Sequence, residues 1–334
     1  MRSPSTISPT ITTKLWPMPN NFRSRLRGEA TMPAERRPGM DHEHYAWSPI
    51  HTRAPLLWPN NARVALCVLV NLELMELDPP EGSFEATRLA GGLGRLPYPD
   101  YARLSHREYG HRVGIFRVLD VLDKHGIAAT IAMDALTAEH YPYLVQHCQQ
   151  RGCEIIGHGL SVSRMITSEM SEAEERDYIR TSIAALTQAT GQTPVGWVGP
   201  EYGESMRTPQ LLAEAGMRYV CDWANDEQPY HMTTSQGDLV SLPIALELDD
   251  VHALWERRVP VDRYGIMLSE CFEGLYQDGG QTGRLLVLNL HPWLIGQPFR
   301  IGFLDAALEG MMQRQGVWAA HGSTIVDWFR QQRT

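Results

Sequence analysis

The sequence predicts an α/β fold: a distorted (β/α) barrel of about seven parallel strands with helices around it. From residue 62 onward, short runs rich in Val, Ile and Leu alternate with longer stretches of helical periodicity. Runs that are apolar throughout are typical of parallel strands buried on both faces. The number of strand–helix units favours closure into a barrel, and an open doubly wound sheet is the alternative.

The individual elements follow from length and period. The predicted strands are residues 64–71, 128–133, 153–157, 195–198, 219–222, 239–244, 284–290 and 316–319. The predicted helices carry apolar positions at helical spacing. They are residues 106–125, 135–151, 171–190, 206–216, 261–278 and 301–315.

Local signals mark several element ends. Ser171 precedes the acidic turn EAEE, which is typical of a capped helix N-terminus. Glycines stand where four helices are expected to stop, namely Gly126, Gly152, Gly191 and Gly216. The crossover over residues 72–105 is a long loop, and loops of this length in compact domains are usually functional.

Composition narrows the class of protein. The chain has 334 residues, is 43% hydrophobic and carries a net charge of −9 without a basic block, so neither a nucleic-acid nor a membrane partner is expected. Its five cysteines form no CxxC pair, which favours buried thiols in a reducing compartment. Because the first 40 residues lack a secretory apolar stretch, we expect a cytoplasmic protein. Residues 1–44 are predicted to be a disordered or surface-draped arm, and residues 45–334 a single catalytic barrel.

Polar side chains follow the predicted strands, at the end of a barrel where active sites lie. Glu73, His158 and His291 each come directly after an apolar run. Further polar strand ends are Asn71, Asp134, Gly199 to Glu204, Asp222, Asp226 and Glu247 to Asp250. Together they predict a pocket rich in carboxylates. Structural roles are the alternatives: an N-cap for Asp134, a turn for Asp226 and a solvated acidic face for residues 247–250.

Motifs between residues 57 and 332 resemble a known family. They are LWPNNARVALCVLVNLE, HREYGHRVGIFRVLDVLDKHGIAAT, EIIGHG, PVGWVGPEYGES, YVCDWANDEQPY and NLHPWLIGQPFRI, in that order. The chain resembles the polysaccharide-deacetylase superfamily, in particular its branch similar to metal-independent allantoinases and cyclic-imide hydrolases. The resemblance implies a distorted barrel, hydrolysis of a carbon–nitrogen bond, and assembly into homodimers or tetramers.

The chain departs from the metal-dependent members at two positions. Their first strand ends in two aspartates, a base and a metal ligand, and here the matching residues are Asn71 and Glu73. Their HxxxH motif is matched only by His158, because Val162 stands in the second place. Catalytic zinc usually has three protein ligands. We therefore expect no required metal; if zinc or another divalent ion binds, the predicted ligands are Glu73, His158 and His291.

The predicted catalytic residues are Glu73, His158 and His291. Glu73 is expected to be the base, with a pKa raised by burial, while His158 orients the water or polarises the carbonyl. His291, which matches the family's general acid, is expected to protonate the leaving nitrogen. Backbone amides near Gly199, with Ser205, are expected to stabilise the oxyanion. The predicted substrate-binding residues are Asn71, Trp197, Glu201, Glu204, Ser205, Asp222, Asp226, Glu247 and Asp250.

The predicted substrate is a small cyclic amide or imide such as allantoin or a hydantoin. One alternative is a metal-dependent N-deacetylase of an acetylated amino sugar. Another is a non-catalytic ligand-binding barrel whose chemistry was lost with Asn71 and Val162.

Overall fold

The computed structural model describes residues 42–80, 83 and 100–332. Backbone contacts divide the chain between His42 and Glu43, and the description that follows concerns the unit Glu43–Thr334. The predicted N-terminal arm lies almost wholly outside the described residues, as do residues 81–82 and 84–99 of the predicted loop. None of the described helices is both long and apolar enough to span a bilayer.

Within the described residues, one curled sheet of nine strands forms the centre of the fold. The strands are β1 (Val64–Leu72), β2 (Ala129–Met133), β3 (Glu154–Gly157), β4 (Gly196–Trp197), β5 (Tyr219–Val220), β6 (Tyr230–His231), β7 (Val240–Ser241), β8 (Arg284–Leu290) and β9 (Val317–Ala319). Their order is β6-β7-β5-β4-β3-β2-β1-β8, and β9 pairs with the start of β1. All pairs are parallel except β6 with β7.

Single backbone hydrogen bonds link the two ends of the sheet. The Ala245 amide, after β7, donates to the Val287 carbonyl of β8 at 3.1 Å. The Leu285 amide of β8 donates to the Glu227 carbonyl at 2.8 Å. In the described part of the chain no strand ladder spans this seam. The sheet is therefore a mostly parallel partial barrel, and the predicted fold class is confirmed.

The sheet has a long-strand half and a short-strand half. All nine residues of β1 are buried, and the strand is in register with β8 from Val64↔Arg284 to Val70↔Leu290. In contrast, β4, β5 and β7 are two residues long each, shorter than predicted. Aromatic rings crowd this half: a Cβ on Gly196 would lie 2.2 Å from the Tyr219 ring. Loops rather than strands therefore form much of the barrel mouth on this side.

Ten α-helices surround the sheet in the described part of the chain. They are α1 (Tyr101–Tyr109), α2 (Ile115–Lys124), α3 (Ala135–His140), α4 (Pro142–Gln150), α5 (Glu172–Thr190), α6 (Thr208–Glu214), α7 (Val261–Asp278), α8 (Pro292–Ile295), α9 (Ile301–Met312) and α10 (Gly322–Gln331). The predicted helix over 135–151 is two helices, because Pro142 cannot continue a helix through Tyr141. The helices α8 and α10 were not predicted. Ser171 caps α5 in a full capping box, as expected.

A π-helical turn over Gly110–Gly114 joins α1 to α2 and packs against α8. A Cβ on Gly114 would lie 2.0 Å from the carbonyl oxygen of Pro292, so only glycine permits this approach. Since α8 begins directly after His291, the contact brings the end of α1 to the mouth of the barrel. This is the packing that places Arg107 in the site described next.

Candidate active site

Glu73, immediately after β1, is the centre of a cluster of charged side chains. Its side chain is almost fully buried, with 4% of its surface exposed. Its Oε1 lies 3.2 Å from His158 Nε2 and 3.6 Å from His291 Nε2, while its Oε2 lies 2.5 Å from Arg107 Nη1. Three groups able to carry positive charge therefore surround one carboxylate.

Both histidines are held through Nδ1 and point Nε2 toward Glu73. His158 follows β3, and its Nδ1 lies 2.7 Å from the Val198 carbonyl, which can only accept a hydrogen bond. His291 follows β8, and its Nδ1 lies 2.7 Å from Asp250 Oδ1. The His291 amide also donates to both oxygens of Asp250, at 3.1 and 3.0 Å. These second contacts fix which nitrogen of each ring faces the cavity.

Arg107 lies in the last turn of α1 and is buried beside Glu73. Its guanidinium carbon lies 4.9 Å from the centre of the Trp293 ring, and its Nη2 lies 3.7 Å from Glu201 Oε1. No role was predicted for Arg107, although the residue stands within the HREYGHR motif. The only available signal was a basic residue in a family motif, because the packing of α1 on α8 is not visible in the sequence.

The charges set the protonation states. Burial alone would raise the pKa of Glu73, but Arg107 and the two histidines hold it well below its usual range. The expectation of a raised Glu73 pKa is therefore wrong. Burial would lower the pKa values of both histidines, yet Glu73 raises that of His158, and Asp250 with Glu73 raises that of His291 well above normal. These contacts favour an ionised Glu73 beside protonated histidines.

Asp134 supports the backbone beside Glu73. Its Oδ2 accepts a hydrogen bond from the Leu74 amide and its Oδ1 accepts one from the Thr137 amide, both at 2.6 Å. The side chain is thus the N-cap of α3, the structural role weighed in the sequence analysis, and also ties down the residue after Glu73. Burial raises the pKa of Asp134 to about 7.

A second polar network forms the opposite wall. The hydroxyl of Tyr202 donates to Asp249 Oδ2, and Asn289 Nδ2 donates to both of these oxygens, at 2.6 and 2.8 Å. Asn71 Nδ2 donates to Asn289 Oδ1 at 2.6 Å across the β1–β8 pair. Tyr202 and Glu201 have left-handed φ values of 59° and 52°, a conformation that costs energy for residues other than glycine. The network holds this strained turn at the cavity.

These groups enclose a cavity of about 170 Å³. It is below the range of roughly 300–1,000 Å³ that is typical of pockets for drug-sized ligands. Of the predicted site residues, the cavity is lined by Asn71, Glu73, His158, Glu201 and His291. Asp250 contacts His291 Nδ1 but is not among the described residues that line the cavity. Tyr202 and Asp249, which also line the cavity, lie within the predicted polar strand ends 199–204 and 247–250, whereas Arg107, His252 and Asn289 were not predicted.

Two predicted substrate-binding residues have core contacts instead. The Ser205 hydroxyl donates to Glu175 Oε2 at 2.7 Å, so this hydroxyl is not directed at an oxyanion in the cavity. Trp197 is fully buried, and its ring packs so closely on β3 that a Cβ on Gly157 would lie 2.6 Å from it. Neither residue is among the described residues that line the cavity.

Glu204 and Asp222 form a buried pair behind the cavity wall. Asp222 Oδ1 accepts a hydrogen bond from the Gly199 amide at 2.7 Å. Burial raises the pKa of Asp222 to about 6 and, with the charge of Asp222, raises that of Glu204 well above normal. Asp222 therefore holds the Gly199 turn, and neither carboxyl group is among the described residues that line the cavity.

Asp226 and Glu247 lie away from the cavity. Asp226 pairs with Arg53, whose Nη1 donates to Oδ1 at 2.8 Å. The Glu247 side chain is 73% exposed and pairs with Arg257. Both acids border a separate groove of about 1060 Å³, so the structure does not bring them to Glu73 as expected.

The residues at Glu73 do not match the donor set that zinc prefers. Arg107 already contacts one carboxylate oxygen, and the raised histidine pKa values disfavour the neutral imidazoles that bind metal. Val162, in the place of the family's second histidine, offers only hydrocarbon. Among the described residues, Asp249, Asp250 and His291 bring ligand-type atoms within 4.8 Å of one another. Asp249 Oδ2 and Asp250 Oδ1, however, already accept hydrogen bonds.

Comparison with known proteins agrees with this architecture. The polysaccharide deacetylase family model matches residues 108–220. A probable polysaccharide deacetylase from Pseudomonas aeruginosa PAO1 is 25% identical, with a TM-score of 0.74 over 84% of this chain and 96% of that one. A PuuE allantoinase is 26% identical, with a TM-score of 0.74 over 84% and 95%.

A curated relative extends the likeness along the sequence. A Schizosaccharomyces pombe protein assigned as a polysaccharide deacetylase is 26% identical over 289 residues, which are 79% of this chain and 89% of that protein. The family resemblance inferred from the motifs is thereby confirmed. The chain is similar to polysaccharide deacetylases, whose family model matches residues 108–220, and its relatives indicate a hydrolase of carbon–nitrogen bonds.

Proposed function

We propose that the protein hydrolyses a carbon–nitrogen bond of a small cyclic amide or imide, such as a hydantoin or allantoin, without an obligatory metal ion. The observation that carries the proposal is the contact of Arg107 with Glu73, inside a cavity of about 170 Å³. The guanidinium supplies positive charge where the metal-dependent relatives are expected to place an ion. The likeness to a PuuE allantoinase supports this substrate class.

Arg107 would stabilise the charge that develops on the substrate. Attack of water on the ring carbonyl produces an oxyanion, and a fixed cation in a water-poor site stabilises such a charge strongly. Arg107 lines the cavity and is held from two sides by Glu73 and the Trp293 ring. Its charge is therefore in place before the reaction starts.

The carboxylate and the histidines would move the protons. Glu73 Oε1 would accept a proton from the attacking water, oriented by His158 Nε2. Because the Glu73 pKa is depressed, this base is weak and suits a carbonyl activated by a ring and a good leaving group. His291, held as an imidazolium by Asp250, would donate its Nε2 proton to the departing nitrogen. The ring opens to a carboxylic acid and an amide or amine nitrogen.

The second network would orient the substrate. Asp249, Glu201 and the Asn289–Asn71 pair place acceptor oxygens and amide groups around the cavity. These groups match the alternating N–H and C=O edges of a hydantoin-type ring. A ring that lacks these edges would displace water from the polar groups without replacing the contacts that water makes, so it should bind weakly.

The second candidate is a metal-dependent N-deacetylase of an acetylated amino sugar. The likeness to a probable polysaccharide deacetylase and the grouping of Asp249, Asp250 and His291 favour it. We also propose that the enzyme works in the cytoplasm as a homo-oligomer. Light scattering of the full chain and cell fractionation test these two points.

A substrate panel on metal-stripped enzyme tests the proposed function. The purified protein is treated with chelator, its metal content is measured, and hydantoins, allantoin, imides and N-acetylated sugars are assayed. We expect turnover of a cyclic amide or imide at the untreated rate. Turnover of an acetylated sugar only after a divalent ion is added would favour the deacetylase, and tight binding without any product would favour a non-catalytic barrel.

A further inference from the structure

Two cysteines, Cys148 and Cys153, lie at the C-terminal end of α4. Cys153 directly precedes β3, and His158 directly follows that strand. Gly152 follows the C-cap residue Arg151 and has a left-handed φ of 71°. The Gly152 amide donates to the Gln149 carbonyl and the Cys153 amide donates to the Cys148 carbonyl, each at 3.0 Å. This pair of bonds defines a Schellman motif, in which the side chains at the positions of Cys148 and Cys153 commonly contact each other. Here both of those side chains are thiols.

The two thiols occupy the paired side-chain positions of this motif, and Cys153 packs against the buried cluster that contains Cys148. They differ in exposure. Cys148 is fully buried, whereas Cys153 is half-buried and borders a cavity of about 280 Å³ that Arg151 also lines. The neighbouring Cys148 thiol lowers the pKa of Cys153, and the Cys153 thiol together with burial raises the pKa of Cys148. Cys153 is therefore both the more accessible and the more acidic thiol of the pair.

The remaining cysteines offer a contrast. Cys67 and Cys221 are buried in the barrel, and burial raises the pKa of each thiol. Cys271 is half-buried like Cys153, but burial raises its pKa. Thus only the pair at the end of α4 combines access, a lowered pKa and a second thiol in contact.

We propose that Cys148 and Cys153 form an oxidisable dithiol, a modification site for hydrogen peroxide or a similar small peroxide. The Cys153 thiolate attacks one peroxide oxygen; the O–O bond breaks, a sulfenic acid forms, and the other oxygen leaves as water after protonation. The Cys148 thiol then attacks the Cys153 sulfur, forming the disulfide and releasing a second water. Two electrons pass from the sulfurs to the peroxide.

The disulfide would tie the end of α4 to the start of β3. That strand begins at Glu154 and ends at Gly157, directly before His158. The inference does not depend on the proposed function, because it uses none of the residues that line the Glu73 cavity.

Mass spectrometry of the full chain tests the proposal. Trypsin cleaves after Lys124, Arg151 and Arg164, so the cysteines fall in the separate peptides 125–151 and 152–164. After peroxide treatment we expect a loss of about 2 Da for two hydrogen atoms. We also expect the two peptides to be joined until a thiol reductant is added. Cys271→Ser is the matched control and should form the same link.

Two variants decide the assignment. Cys148→Ser should stop the link and leave Cys153 as a sulfenic acid or a higher oxide, and Cys153→Ser should leave Cys148 unmodified. Circular dichroism verifies that each variant is folded. Unlinked peptides from peroxide-treated wild-type protein, or a link that persists in either variant, would overturn the proposal.

Discussion

The two halves of the barrel carry different parts of the site. In the long-strand half, β1 and β8 are paired over their full facing lengths, and Glu73 and His291 follow them directly. In the short-strand half, β4 and β5 have two residues each, and the strained turn at Tyr202 forms the wall. The difference teaches that the proposed proton-transfer groups lie on rigid strand ends, while Glu201 and Asp249, which are proposed to recognise substrate, lie on turns outside the strands.

The two halves are also held together differently. Glu73 is fixed by strand pairing and by the Asp134 bond to the Leu74 amide. The Tyr202 turn is fixed by side chains: Asp222 holds the Gly199 amide, and Asp249 accepts from the Tyr202 hydroxyl. Substitutions in the first half should therefore act on kcat, and substitutions in the second on KM.

The largest expected effect is that of Glu73→Gln. The amide removes the proposed base and the charge that holds Arg107 and both histidines, so kcat should fall about 10²–10⁴-fold. Steady-state kinetics measure the loss, and circular dichroism verifies the fold. Glu247→Gln, on an exposed acid outside the cavity, is the matched control and should retain wild-type kinetics. A Glu73→Gln enzyme with wild-type kcat would remove Glu73 from the mechanism.

Arg107→Met should have the next largest effect. Loss of the proposed oxyanion donor should lower kcat about 10²–10³-fold. Because burial would no longer be offset by the guanidinium, the pKa of Glu73 should also rise. A new decline of kcat on the acidic side of the pH profile reports that rise. Near-normal turnover by Arg107→Met would show that the positive charge does not act in the reaction.

The pH profile tests the pairing of His291 with Asp250. The proton donor is the imidazolium, so kcat should fall as pH rises through the raised His291 pKa, above the ordinary value of 6.5. The Glu73 limb should lie below its ordinary value of 4.5, since its pKa is lowered. In Asp250→Asn, His291 loses its anionic partner, and the alkaline limb should move to lower pH. If the alkaline limb of the Asp250→Asn profile stays where it is in the wild-type enzyme, a group other than His291 titrates there.

The smallest effect should come from Tyr202→Phe in the short-strand half. The change removes one hydroxyl between Asp249 and Asn289 and should cost about 1 kcal/mol, mostly as a rise in KM of roughly fivefold to tenfold. Separate kcat and KM values measure it. A kcat loss as large as that of Glu73→Gln would end the distinction between the two halves.

The sequence predicted the long-strand half well because its signals are local. Uninterrupted apolar runs predict β1 and β8, and helical periodicity with a capping box predicts α5. The carboxyl ends of parallel strands meet at one edge, so Glu73, His158 and His291 were expected near each other. The short strands were predicted too long, because apolar residues continue past the point where the ladder ends.

Other features of the site depend on packing that the sequence does not display. Arg107 lies on α1, which leads into the π turn that packs closely on α8 at Gly114. Because the sequence does not show the contact of Arg107 with Glu73, burial alone suggested that the pKa of Glu73 is raised. That is the wrong direction. Asn289 was a missed signal, since a polar residue inside the buried run of β8 usually has a hydrogen-bonding role.

A cobalt titration tests most directly whether the Arg107–Glu73 centre works without a metal. Co²⁺ is added to stripped enzyme while ligand-field absorbance and turnover of a cyclic amide are followed together. The account predicts full turnover before addition, no change with Co²⁺, and no absorbance of a tetrahedral ion bound by nitrogen and oxygen. A tetrahedral band that grows in proportion to turnover, from an inactive stripped enzyme, would contradict it.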